Sequence, residues 1–129
     1  MKRTAKAWLL LSLLASPVMA QPPDVAPVMS RALTDIPGKE VLMLTVEYPP
    51  GGSDPVHRHD AHGFIDVLEG SVVMQVQGGT AVTRTPGQTF DEGPDDVHVV
   101  GRNASTTRPA KLLAILVKDT GAPTLVPVK

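Results

Sequence analysis

Short apolar runs separated by glycine and proline dominate the chain after residue 40. These runs are rich in Val, Leu, Ile and Thr, and they occupy residues 41–48, 64–68, 71–77, 80–84, 96–100, 110–117 and 124–128. Gly78-Gly79 has the form of a two-residue hairpin turn, and Pro86-Gly87 marks another turn. No segment after residue 20 has the spacing of a long amphipathic helix. The pattern therefore predicts an all-β sandwich or barrel.

Two segments need a separate interpretation. Residues 110–117 are apolar enough for a buried helix, but the run is short and bounded by Pro109 and Gly121, so we predict a strand. Residues 21–39 begin with a proline-rich stretch that has no periodicity. We predict a flexible N-terminal arm here, with an extended segment at a sheet edge as the alternative, followed by one domain at 40–129.

The first twenty residues have the layout of a secretory signal peptide. Lys2, Arg3 and Lys6 give a positive start, residues 7–15 are apolar, and Ala20 is a small residue at the expected cut. The apolar run is too short for a membrane anchor, because a spanning helix needs about 20 such residues. We therefore expect residues 1–20 to be removed and the mature protein to be exported, to the periplasm or outside the cell.

Composition limits the partners of the mature chain. Removal of residues 1–20 takes three of the twelve basic residues and leaves nine against thirteen acidic ones, a formal charge of −4. This balance argues against nucleic acid and against membrane surfaces as partners. Cysteine is absent, which excludes disulfides and thiolate metal sites. Since a small sheet protein has edges to cover, we expect a homodimer.

Three of the four histidines lie within six residues. In an extended segment, residues two apart face the same side, so His57 and His59 present two imidazoles to one point. His98 lies in a second alternating run and would complete a face of three nitrogen ligands, with positions left for water or substrate. Four acidic residues before His98 are interpreted as a solvated turn that draws cations toward the site. They are Asp91, Glu92, Asp95 and Asp96.

The arrangement of these motifs resembles the cupin family. Gly51, five residues, His57-Arg58-His59 and then Gly70 match its first motif, and the second motif is represented by Pro86-Gly87, His98 and Asn103. The resemblance covers about residues 40–120. It implies a cupin-type antiparallel β-barrel, jelly-roll-like, with a divalent metal ion held by His57, His59 and His98.

The match has one departure, at the glutamate of the first motif. Counting back from Gly70, this position falls on Gly63. The chain is therefore expected to lack the carboxylate that most metal cupins use. Either the site has three histidines, or His62 turns inward as a fourth ligand; strand alternation points His62 away from His59, whereas a loop would allow it.

The fold alone does not select a reaction, so three hypotheses stay open. An oxygenase-like enzyme would use Fe(II), a small chelating substrate and O2, as the resemblance to dioxygenases of thiols and β-diketones implies; with Zn(II) or Mn(II), isomerisation or hydrolysis is equally reasonable. The alternative is a non-catalytic periplasmic module that binds a small molecule or a metal. The third hypothesis is a barrel without metal. The catalytic residues cannot be assigned from the sequence.

Overall fold

The computed structural model describes residues 19–129, and within this range the chain is built from strands without an α-helix. No helix in this part of the chain could cross a bilayer. Residues 1–18 of the predicted signal peptide lie outside the described range. The strands are β1 (Asp24–Ala32), β2 (Lys39–Tyr48), β3 (His57–Arg58), β4 (Ala61–Glu69), β5 (Val72–Val76), β6 (Val82–Arg84), β7 (Thr89–Glu92), β8 (Val97–Asn103), β9 (Ala110–Asp119) and β10 (Val126–Pro127).

The strands form two antiparallel sheets that share one apolar core. The first has the order β1-β2-β9-β4-β7 and the second β10-β3-β8-β5-β6. Alternate residues of β9 and β4 are buried, as the period of two along a strand requires. The core joins these residues to Val72 and Met74 of the second sheet. The predicted all-β, jelly-roll-like barrel is confirmed.

The strand prediction for 110–117 is also confirmed, because β9 covers this run. Two shorter strands, β3 and β7, do not stand out in the sequence. Both have too few residues to show an alternating pattern, and their pairing with longer neighbours defines them. They are the strands that carry His57 and Glu92, so the least predictable parts of the sheets lie at the site.

The N-terminal segment is an edge strand, not a flexible arm. β1 pairs with β2 from Asp24↔Glu47 to Ala32↔Glu40, with an irregularity after Pro27. All nine of its residues are exposed. Backbone pairing needs no apolar periodicity, and a sheet edge tolerates a proline that cannot donate a hydrogen bond. The segment is therefore the extended strand at a sheet edge, which was the predicted alternative to a flexible arm.

Asn103, at the end of β8, fixes one end of the barrel. Its side chain is 3% exposed. The amide nitrogen lies 3.1 Å from the Pro49 carbonyl oxygen and 2.7 Å from that of Arg108, and the amide oxygen accepts from the Ser105 backbone N–H at 2.8 Å. These bonds hold the turn after β8 against the end of β2, where Tyr48 points into the core.

Candidate metal centre

Backbone register brings the two motif histidines face to face. β3 pairs with β8 so that His57 and His98 are direct partners. Both side chains are buried, at 3% and 5% exposure, and their ring centroids lie 4.9 Å apart. A pair of adjacent strands thus gives two imidazoles that solvent does not reach.

His59 joins this pair from the segment that follows β3. Its Nε2 lies 3.1 Å from Nε2 of His57. The Nδ1 atom of His57 is 2.8 Å from the Pro55 carbonyl oxygen, and Nδ1 of His59 contacts the Thr124 carbonyl oxygen. Because a carbonyl only accepts, both Nδ1 atoms carry the hydrogen, which leaves a lone pair on each Nε2. Two lone pairs at this distance repel each other unless a cation or a proton lies near both, and this is the tautomer that metal-bound histidines use.

His98 is suited to the same role. Burial and the neighbouring imidazoles of His57 and His59 lower its pKa to about 4, so the ring is neutral at neutral pH. Its Nε2 is buried and has no hydrogen-bond partner among residues 19–129. Most buried polar atoms in proteins are paired, so an unpaired ring nitrogen at a cluster of imidazoles fits a ligand position. His57, His59 and His98 are therefore suited to hold a divalent ion.

Glu92 is part of this cluster and does not lie in a solvated turn. Its side chain is 3% exposed, whereas Asp91 and Asp95 beside it are exposed. Glu92 Oε1 lies 3.3 Å from His59 Nε2, and Oε2 lies 3.7 Å from His98 Nδ1. In the part of the chain that the structure describes, Oε2 has no hydrogen-bond partner. Burial raises the pKa of Glu92 to about 7, although the charge of a protonated His57 would act in the opposite direction.

The space beside Gly63 is occupied by the Glu92 side chain. β4 and β7 pair with Gly63 directly opposite Glu92. A Cβ atom at Gly63 would lie 3.3 Å from Glu92 Cγ and 3.5 Å from Glu92 Oε1. Residue 63 itself carries no carboxylate, as expected, but the Glu92 carboxylate lies beside it.

A second carboxylate, that of Asp54, also lies close to the histidines. Asp54, His57 and His98 each offer a possible ligand atom, and these atoms lie within 4.8 Å of one another. The Tyr48 hydroxyl donates to Asp54 Oδ2 at 2.5 Å. Burial raises the pKa of both groups above the usual value, and the hydrogen bond from Tyr48 partly offsets this for Asp54. Gly101 allows the approach, because a Cβ there would overlap the Asp54 carboxylate and the His98 ring.

His62 is not brought to the cluster. It lies on β4 between the buried residues Ala61 and Gly63, and its own side chain is exposed. Its ring stacks on the exposed Phe64, with centroids 4.9 Å apart and an interplanar angle of 10°. The alternation of β4 thus directs this imidazole away from the other three.

The cluster lies against a cavity of about 180 Å³ in the barrel. Apart from the site residues, its walls are mainly aliphatic. Six residues that form these walls are Leu44, Val46, Ile65, Met74, Leu112 and Leu116. Such walls give shape and exclude water, so the polar groups of the cluster are the ones that would orient a ligand.

Sequence reasoning missed Glu92, Asp54 and Tyr48 as site residues. The signal for Tyr48 was the period of two along β2, on which Leu44, Val46 and Tyr48 line the cavity. Asp54 lies outside the named strands, and Glu92 ends a strand of four residues, so neither has a periodic context of its own. Their positions follow from the strand pairing.

The structure is thus a small all-β barrel whose candidate metal site has three inward imidazoles and a buried carboxylate. The family model "Cupin domain" (Cupin_2) matches residues 44–116, more than half of the chain. The chain belongs to this cupin family, and the resemblance seen in the sequence is confirmed. No curated protein sequence matches the chain.

Solved structures agree on the fold. The DMSP lyase DddQ from Ruegeria pomeroyi DSS-3 is 22% identical with a TM-score of 0.61; the match covers 68% of this chain but only 43% of the lyase. A cupin domain from Bordetella pertussis Tohama I is 18% identical with a TM-score of 0.62; the match covers 79% of this chain and 99% of that domain. An oxalate oxidase is 21% identical with a TM-score of 0.62; the match covers 92% of this chain and 61% of the oxidase. At these identities the similarity concerns the fold.

Proposed function

We propose that this protein is an exported, metal-dependent cupin that acts on a small chelating molecule, with oxygenase-like chemistry. The observation that carries the proposal is the cluster itself. His57, His59 and His98 direct ring nitrogens toward one region beside the cavity, and His98 Nε2 and Glu92 Oε2 are buried without partners. A ring nitrogen and a carboxylate oxygen that both offer unpaired lone pairs in one cluster fit a cation site.

The donor set is one of imidazole and carboxylate, which suits Fe(II), Mn(II) or Zn(II). An ion bound there would supply Lewis-acid activation and, as Fe(II), redox chemistry with O2. The chain's own residues contribute the rest. The Pro55 and Thr124 carbonyls orient two imidazoles, and the aliphatic walls exclude water from the ligand.

The dimensions of the cavity favour a small ligand. About 180 Å³ corresponds to roughly six water molecules in the liquid, which suits a compact acid. The divalent charge of the ion exceeds that of any one carboxylate ligand, so an anionic chelator is preferred over a neutral one. The names of the lyase and the oxidase indicate that this fold hosts more than one kind of small-molecule reaction, so they do not select the reaction.

We expect the purified protein to retain close to one divalent ion per chain after dialysis. Loaded with Fe(II), it should consume O2 with at least one compound from a panel of small acids, thiols and β-diketones. Metal content is measured by plasma mass spectrometry and O2 by an electrode. The matched control is the same protein loaded with Zn(II), which has no redox chemistry and should leave O2 unchanged.

Two outcomes would count against this function. Retention of metal without turnover of any compound would assign the chain to the alternative, a non-catalytic binding module of the periplasm. A wild-type protein that binds none of the three metals would contradict metal dependence altogether.

Export and dimerisation belong to the same proposal. The signal-like residues 1–20 support export, and the exposed edge strand β1, with Val25 and Val28 about half exposed, supports pairing with a second copy. We expect native mass spectrometry of the protein recovered from cells to give a chain that starts at Gln21 and a mass of two chains. A chain that starts at Met1 would contradict export, and a monomer at micromolar concentration would contradict the dimer.

A further inference from the structure

We propose that Glu92, on β7, is the carboxylate ligand of the metal and that it takes the space of a side chain at position 63 on β4. This inference rests on the proposed metal-dependent function and adds a ligand to it. It also explains the glycine at position 63, which the sequence alone presented as a missing ligand.

The first argument is the register of β4 and β7. Gly63 and Glu92 are direct partners across the pair. Side chains of such partners leave the sheet on the same face, about 5 Å apart. A Cβ at residue 63 would approach both Glu92 Cγ and Glu92 Oε1 within 3.5 Å. A long side chain at 63 and the observed Glu92 side chain therefore compete for one volume, and the glycine leaves it to Glu92.

The second argument is the difference between the two carboxylates near the histidines, those of Glu92 and Asp54. Asp54 Oδ2 already accepts a hydrogen bond from Tyr48. Glu92 has an oxygen with no partner, and its other oxygen is 3.3 Å from Nε2 of His59. Glu92 Oε1 lies beside the Nε2 lone pair of His59, and the buried Oε2 lacks a partner, so a cation near both groups would stabilise this arrangement. Although Asp54 also lies within ligand distance of His57 and His98, the buried oxygen without a partner belongs to Glu92, and we assign the metal to this carboxylate.

The first experiment compares Glu92→Gln with Asp54→Asn, two substitutions that keep the shape and remove the charge. Mn(II) is titrated into each metal-free protein, and free Mn(II) is counted by electron paramagnetic resonance. We expect Glu92→Gln to weaken binding by about 100-fold and Asp54→Asn to change it by less than about fivefold. Unfolding midpoints measured in chelator confirm that each variant is folded.

The second experiment moves the carboxylate back to β4. Glu92→Ala alone should bind Mn(II) about as weakly as Glu92→Gln. Gly63→Glu in the same chain should then restore affinity to within about tenfold of wild type, because the alanine frees the space that Glu92 occupies. The remaining contact of a Cβ at 63 is Leu116 Cδ2 at 3.3 Å, the end of a flexible side chain that can shift.

The results separate this inference from the function on which it rests. Wild-type affinity in Glu92→Gln would overturn it while leaving the metal site in place, and so would a larger loss in Asp54→Asn. A double variant that is folded but no tighter than Glu92→Ala would contradict the shared volume of positions 63 and 92. Failure of the wild-type protein to bind Mn(II), Fe(II) or Zn(II) would instead reject the proposed function.

Discussion

His98→Ala is expected to weaken metal binding by at least about 100-fold, so that the protein loses its ion at stoichiometric loading. The imidazole is one of three nitrogen ligands, and the pairing of β3 with β8 places it directly opposite His57. Because the ring is buried, water that entered the space would be a weaker ligand held by fewer contacts. The measurement is a competition titration of Zn(II) against a coloured chelator.

The matched control for this experiment is His62→Ala. It removes the same ring from an exposed position on the outer side of β4, where its main neighbour is Phe64. Zn(II) affinity should stay within about twofold of wild type. If His98→Ala kept full affinity, the site would not be at the centre of the barrel; if His62→Ala lost as much as His98→Ala, the outer imidazole would be a ligand after all.

Gly70→Ala is expected to destabilise the protein by about 4 kcal/mol. Gly70 has φ +68°, where an alanine costs roughly 1–2 kcal/mol. A Cβ there would also lie 2.6 Å from the Pro109 carbonyl oxygen and 2.9 Å from Ala110 Cα. Both are backbone atoms at the start of the central strand β9, so they cannot move aside as the end of a side chain would. The free energy of unfolding is measured by urea denaturation in the presence of chelator.

Gly78→Ala separates the conformational cost of a positive φ from the cost of the close backbone contact. Gly78 has φ +80° in the turn between β5 and β6, and a Cβ there would meet nothing within 4 Å. We expect a loss of roughly 1–2 kcal/mol, the conformational part alone. Equal losses at both positions would show that the contact with residues 109 and 110 contributes little, which would contradict the close packing described for Gly70.

The fold could be predicted from the sequence because its signals are local. Turn residues and alternation in runs such as 110–117 define strands without knowledge of their partners. The imidazoles of His57 and His59 could be predicted for the same reason, since a spacing of two fixes a shared side. The edge strand β1 was harder, because all of its residues are exposed and no apolar period marks it.

The carboxylates could not be predicted, because their positions depend on pairing between strands. Glu92 ends a four-residue strand within an acidic run, and its sequence context resembles that of the exposed Asp91. Only the alignment of β4 with β7 places it beside Gly63. A glycine at a ligand position is ambiguous in a sequence, since it can indicate a lost ligand or the space that another strand's ligand requires.

The position of Glu92 has a mechanical consequence. β7 is the last strand of the first sheet, while His57 and His98 belong to the second. An ion bound to all three would connect the two sheets at the short edge strand β7, which could otherwise fray. Like a disulfide, such a cross-link would close a loop between residues 57 and 92. Chelation would then open the barrel at this edge first, and hydrogen exchange at residues 89–92 would report the loss of the ion before the core responded.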